Sequence, residues 1–223
     1  MILRTIYLKI GDLGLASEYT YGFLKRSRVV CNFIEREVLG RLKFKADGFK
    51  RISISLCSAP RDAAWVNSSG VACVEIPFDR EVYDGTADSE LCEYYIGKLK
   101  EGIAKADPVL SVPAAEISDG LERFVAGGMA NQWLHLKRTF KGEGLLVFLR
   151  CELTTEVFRL SLEVHKGGVE VLREVILVTD PDENAFDYRF DDVEVISGEL
   201  VVLGKRSGRL WARPIADLGS ATP

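Results

Sequence analysis

The sequence predicts an α+β fold: an antiparallel sheet with a C-terminal β-meander, and two or three helices packed on one side. Three observations carry this prediction. Between Gln132 and Leu203 apolar residues recur at every second position, the period of a half-buried strand. The turns between these runs are too short for parallel crossovers, so neighbouring strands must run antiparallel. The middle of the chain shows apolar residues at helical spacing instead.

In chain order, Ile2, Ile6, Leu8 and Ile10 share one parity and Gly11-Asp12 closes them, which predicts a first strand over 2–10. Val30, Phe33, Ile34, Val38 and Leu42 fall at helical spacing with Glu35, Arg36 and Arg41 between them. An amphipathic helix is expected from Arg28 to Leu42, with Gly40 weakening its end. Ile52, Ile54 and Leu56 alternate with Ser53 and Ser55, and Ala72, Val74 and Ile76 with Cys73 and Glu75, giving two further strands. Their connection holds Pro60, Trp65 and Asn67-Ser68-Ser69. Leu91, Tyr95, Leu99, Ile103 and Ala106 then form a helical stripe, which Thr86 or Asp88 could cap and Asp107-Pro108 would stop. A further helix starts near Pro113, buries Ile117, Leu121, Phe124 and Val125, and ends at Gly127-Gly128.

In the meander, Leu145, Val147, Leu149, Cys151 and Leu153 share a face, and Phe158, Leu160, Leu162 and Val164 resume the pattern after Thr154-Thr155-Glu156. His165-Lys166-Gly167-Gly168 and Ser197-Gly198 supply the positive-φ positions of tight hairpins, and Ser207-Gly208 reads as another turn. Residues 1–223 read as a single domain. Its one candidate sub-boundary, near 127–131, separates a mixed part (1–128) from the meander (129–217), and the tail from Leu218 to Pro223 is expected to fray.

With 223 residues, 47% hydrophobic content and mean hydropathy near zero, the composition is that of a globular chain. A net charge of −4 and a pI near 5.4 argue against bulk nucleic-acid binding, although a local basic patch is compatible with them. The first residues lack a signal-peptide pattern, and no stretch approaches the ~20 apolar residues of a membrane span. A cytoplasmic protein with neither a nucleic-acid nor a membrane partner is expected. Cys31, Cys57, Cys73, Cys92 and Cys151 are odd in number and include no C-x-x-C pair, so they read as small buried thiols rather than metal ligands. No cofactor and no metal are expected.

The catalytic vocabulary is sparse. Only His135 and His165 could supply an imidazole. Strand alternation places His135 with Lys137 on the face opposite Leu134 and Leu136, and Arg138 follows, a grouping that could act as an acid or phosphate clamp. His165 reads as a turn-edge residue. There is neither a G-x-S-x-G serine elbow nor a Walker-type phosphate loop.

The conspicuous charge feature runs from Asp180 to Glu194, with seven acids against one arginine. Its opening places Asp180, Asp182 and Asn184 like the start of a calcium loop. Ala185 stands where such a loop needs glycine, Asp191 where it needs a bidentate Glu, and no flanking helices are predicted. A solvated acidic connection is one reading, and a surface that attracts a basic partner is the functional one. On the second, Asp180, Asp182, Glu183, Asp187, Tyr188, Asp191 and Asp192 are the candidate partner-binding residues. Phe186, Tyr188 and Phe190 either add apolar anchors to that surface or pack back onto the sheet. Trp65 and Trp211 invite an interface reading as well.

In overall style an acidic α+β chain without a catalytic constellation, carrying an aromatic and acidic patch, resembles the immunity proteins that bacteria make against their own polymorphic or contact-dependent toxins. That resemblance implies a non-enzymatic, cytoplasmic binding protein whose partner is a toxin, often a basic nuclease, blocked at or near its active site. It covers no diagnostic motif and assigns no residue; the acidic run is the candidate contact by charge complementarity alone. Two alternatives are a hydrolase or phosphate-ester enzyme with a scattered site around His135, and a small-molecule-binding module whose pocket wall is the meander. The oligomeric state is open, because an unpaired strand edge can be covered by a second copy or by a partner.

Overall fold

The first alternating run becomes strand β1 (Thr5–Ile10), with Ile6, Leu8 and Ile10 buried and Lys9 exposed. It begins later than the pattern predicts, because Ile2 makes only a single bridge to Lys45. The computed structural model describes residues 1–11, 13–205 and 208–218. Asp12, Ser207 and the tail beyond Leu218, on which a strand end, a turn and fraying were expected, lie wholly or partly outside them. The chain divides into two compact units, Met1–Asn131 and Gln132–Pro223.

In the first unit, helix α1 (Ser17–Ile34) continues through a π-helical turn (Glu35–Leu39) into α2 (Gly40–Leu42). The helix therefore starts eleven residues before the expected Arg28, and Gly40 lies inside the helical path. Strand β2 (Arg51–Cys57) pairs parallel with β1. Strand β4 (Val71–Pro77) pairs parallel with β2, and the short β3 (Trp65–Val66) lies antiparallel on its outer edge. The order β1-β2-β4-β3 thus adds a small parallel sheet to the antiparallel ones; a helical crossover from β1 to β2 is what makes that direction reachable.

Three more helices follow: α3 (Arg80–Gly85), α4 (Leu91–Leu110) and α5 (Ala114–Ala126). Asp79 caps α3, its carboxylate accepting from the Val82 amide at 3.1 Å, whereas no side chain caps α4. Pro108 sits inside the last turn of α4 rather than stopping it, and Ser111 in the left-handed region ends the helix. At the end of α5 the Gly128 and Met129 amides donate back to Val125 and Phe124 (2.9 and 2.8 Å), a Schellman closure that Gly128 permits at φ +70°. Val125, expected on the buried face, is 48% exposed. Helix α4 packs closely on β2: a Cβ added at Gly102 would lie 2.6 Å from Ile54 Cδ1.

The free edge of β1 is closed by side chains of α1 and the π-helical turn. The Ile6 amide donates to Glu35 Oε1 (2.8 Å), Arg28 Nη1 donates to the Ile6 carbonyl (3.1 Å) and Ser27 Oγ donates to the Leu8 carbonyl (3.2 Å). Arg28 and Glu35 also pair with each other at 2.6 Å, almost buried. An edge occupied in this way offers no ladder to another strand.

In the second unit the meander forms as predicted: β5 (Asn131–Phe140), β6 (Leu145–Leu153), β7 (Phe158–Lys166) and β8 (Val169–Thr179) make a four-stranded sheet in that order. β6, β7 and β8 pair antiparallel. After the short helix α6 (Glu183–Phe186), strands β9 (Asp192–Ile196), β10 (Glu199–Gly204) and β11 (Gly208–Pro214) make a three-stranded antiparallel sheet centred on β10. The odd residues of β6 and Phe158, Leu160, Leu162 and Val164 of β7 are buried, as the alternation requires, and Glu163 is buried from the opposite parity. Both expected hairpins have positive φ at two successive positions, Gly167-Gly168 and Ser197-Gly198. Of the five cysteines, Cys31 and Cys151 are buried, and Cys57, Cys73 and Cys92 are half-buried.

Candidate partner-binding site

The acidic run connects β8 to β9, and its local structure follows from three side chains. Asp182 caps α6, its carboxylate accepting from the Asn184 amide at 3.1 Å. Phe186 and Phe190 are both 2% exposed. Their rings lie nearly parallel to that of Phe158 on β7, at centroid distances of 3.7 and 5.5 Å. Two of the three interleaved aromatics therefore pack back onto the sheet, and Tyr188, 47% exposed, is the one that faces outward.

The seven candidate residues have different surroundings. Asp187 pairs with Lys205 at 2.9 Å, and the same ammonium lies 5.9 Å from the centre of the Tyr188 ring. Asp192 is gripped by the Arg138 guanidinium through both carboxylate oxygens. Partial burial alone would raise the Asp192 carboxyl, but the hydrogen bonds from Arg138 and the Val193 amide outweigh it and hold the group below the usual aspartate range. Asp191 is exposed, its amide donating to the Leu203 carbonyl at 2.7 Å. Asp180 is exposed and Glu183 half-buried. A helical turn capped by Asp182 takes the place of a calcium-ligating loop.

His135 joins this site, although the sequence treats it as a separate candidate. Its ring meets the Phe190 ring edge-on at 4.7 Å. Desolvation on that side lowers its pKa below the ordinary imidazole value, opposed by a hydrogen bond with the Asp191 backbone and reinforced by the Lys205 charge. Lys137 goes elsewhere, its ammonium 5.6 Å from the Phe148 ring centre, and Arg138 is taken by Asp192. The expected clamp of His135, Lys137 and Arg138 is therefore dispersed over three different neighbours. Lys205 is the site residue that sequence reasoning missed. Its signal is faint: a cation eleven residues beyond the acidic run, brought back by the β9-β10 hairpin.

A second charged cluster lies on the β6, β7 and β8 strands. Glu163 is 5% exposed. It accepts from Arg150 Nε at 2.9 Å, faces Arg173 at 3.3 Å and shares a 2.6 Å hydrogen bond with His165 Nε2. The imidazole bond first, then the two guanidiniums, hold its carboxyl below the usual range against the effect of burial. Glu163, His165 and Glu170 present ligand atoms within 4.8 Å of one another, but Arg173 also holds both oxygens of Glu170 (3.1 and 2.5 Å). The carboxylates already have their donors, and the cluster acts as a cross-strand ion-pair lattice. Trp211, on β11, is half-buried with Nε1 3.4 Å from Glu174, and Trp65 is stacked under Arg61 at 4.4 Å.

No family model, curated protein or solved structure matches the chain.

Proposed function

We propose that this protein is a non-enzymatic binding protein that neutralises a basic protein partner, in the manner of a bacterial toxin-immunity protein acting in the cytoplasm. The observation that carries the reading is the way the acidic segment is held. Phe186 and Phe190 fix it to Phe158, so Asp187, Tyr188 and Asp191 are presented from a packed base, and less ordering entropy is lost on binding. Clustered carboxylates steer a basic partner during encounter, and an exposed tyrosine supplies the apolar anchor common at interface centres. The enzymatic alternative is disfavoured by the dispersal of His135, Lys137 and Arg138 onto separate neighbours.

The test is a binding titration against basic proteins encoded beside this one, with the wild type and an Asp187→Asn, Tyr188→Ala, Asp191→Asn triple variant, at low and high salt. The variant should associate about tenfold or more slowly and show a flatter salt dependence. Unchanged kinetics would remove this surface from the reading. A folded wild type that binds none of these proteins, and protects no cell from their toxicity, would remove the function itself.

A further inference from the structure

A second surface, in the first unit, carries charge of the opposite sign. Arg4, Lys43, Lys45, Lys50 and Arg51 are all exposed, and among the described residues none of their side chains has an ion-pair or hydrogen-bond partner. Backbone contacts gather their segments at one end of the parallel sheet. Arg4 donates to the Lys50 carbonyl (3.0 Å), Leu3 to Phe44 (2.9 Å) and Ala46 to Met1 (2.7 Å). Ile2 bridges Lys45, and Arg51 stands opposite Thr5 in the β1–β2 register. From Lys43 to Arg51 the only acid is Asp47. Arg41, two residues before this run, is committed to Glu37.

Exposed aliphatic side chains accompany these cations. Met1, Ile2 and Leu42 are 66, 41 and 39% exposed. The aromatics of the region turn inward: Phe49 is fully buried and Phe44 half-buried. A nucleic-acid surface would use the cations but leave the aliphatics without a role, and it would find no exposed ring for base stacking. Cations mixed with aliphatic side chains match the chemistry of an anionic lipid interface, where headgroups take the charges and the acyl boundary takes the apolar groups.

We propose that this end of the first unit docks on an anionic membrane surface, with Arg4, Lys43, Lys45, Lys50 and Arg51 against the headgroups and Ile2 and Leu42 entering the interface. Docking of this kind is distinct from crossing: no helix of the described residues is long and apolar enough to span a membrane. It departs from the expectation of no membrane partner, which rested on the lack of a spanning segment. It does not depend on the partner-binding reading of the acidic segment.

The experiment is co-sedimentation of the full chain with phosphatidylserine-rich vesicles, with phosphatidylcholine vesicles, and a parallel titration with single-stranded and duplex oligonucleotides. At about 0.05 M salt the wild type should bind the anionic vesicles and ignore the zwitterionic ones, and at about 0.5 M salt the binding should largely vanish. Each cation near the surface is worth on the order of fivefold in affinity, so the Lys43→Gln, Lys45→Gln, Lys50→Gln variant should lose about a hundredfold. Leu42→Ser should weaken vesicle binding as well. All three lysines are exposed, and an unchanged circular dichroism spectrum and melting temperature certify the fold; single Gln variants serve if the triple one misfolds. Absence of vesicle binding, equal binding to both lipids, an undiminished triple variant, or tighter binding to an oligonucleotide than to anionic vesicles would each overturn the proposal.

Discussion

Replacing Phe186 with alanine tests whether the acidic segment is a built platform or only a solvated connection. The ring is 2% exposed and stacked 3.7 Å from Phe158 with 9° between the planes. Burying a phenylalanine is worth about 1.5–3 kcal/mol, and a favourable ring pair adds about 0.5–1.5 kcal/mol. The sum, about 2–4.5 kcal/mol, overlaps the usual range of about 3–5 kcal/mol for Phe→Ala in a core. Phe190 still anchors the far end of the segment, and α6 is only one turn long. Local release is therefore the cheaper response, and the loss in global stability should fall short of the full sum. Trypsin gives a direct readout, because Arg189 is the only basic residue between Asp180 and Glu194. Phe186→Ala should be cut after Arg189 much faster than the wild type while the rest of the chain resists, and urea denaturation should show a modest fall in midpoint. Equal protection at Arg189 together with an unchanged midpoint would refute the claim that Phe186 holds the segment.

Other side chains give further predictions. Glu35→Leu takes from the nearly buried Arg28 the carboxylate it pairs with and from the Ile6 amide its acceptor. It should cost about 3–5 kcal/mol in urea denaturation and increase aggregation on refolding, and adding Arg28→Met should cost less than the two single changes summed. His135 titrates below its unfolded value of about 6.5, so the folded state favours the neutral ring. Stability tied to this group is present above the unfolded pKa and is lost as pH falls through the folded one. His135→Asn should therefore flatten the decline in melting temperature between about pH 7 and pH 5, and a proton NMR titration placing the His135 midpoint above 6.5 would contradict the stated cause.

Strand parity in the second unit was fully legible, because a two-residue period assigns every side chain of β6 and β7 to a face without knowledge of the neighbours. The hairpins at Gly167-Gly168 and Ser197-Gly198 were legible for a similar reason: the turn demands the residue types it contains. The start of α1 was not. Its first turns carry Tyr19, Tyr21 and Gly22 rather than a clean apolar stripe, and Tyr19 is placed by contacts with Tyr83 and Asp84 more than sixty residues away. Pro108 misled for a local reason, since a proline in the last turn disrupts only what the helix is about to give up. Parallel pairing of β1, β2 and β4 could not be read, because alternation is the same in either direction. At the site, the acidic run was visible as composition. Its anchoring to Phe158, its junction with His135 and its pairing with Lys205 all depend on strand order. The cations from Lys43 to Arg51 were visible as a run with a single acid, but their lack of partners became apparent only in three dimensions.

A net charge of −4 is a poor guide to what either surface can attract, because pairing decides how much of a charge a partner meets. In the acidic segment, Asp187 and Asp192 already face Lys205 and Arg138; in the basic run, Lys43, Lys45, Lys50 and Arg51 have no ion-pair partner among the described residues. Added salt weakens both kinds of association, so salt dependence alone cannot assign a ligand to a surface. Local substitution can. With a Debye length of about 10 Å at 0.1 M salt, changing three side chains alters the potential near them and little beyond. The lysine-to-glutamine variant should lose vesicle binding and keep the wild-type rate of protein association, and the Asp187, Tyr188, Asp191 variant should do the reverse. If both variants lost both activities while remaining folded, neither surface could be assigned its partner alone.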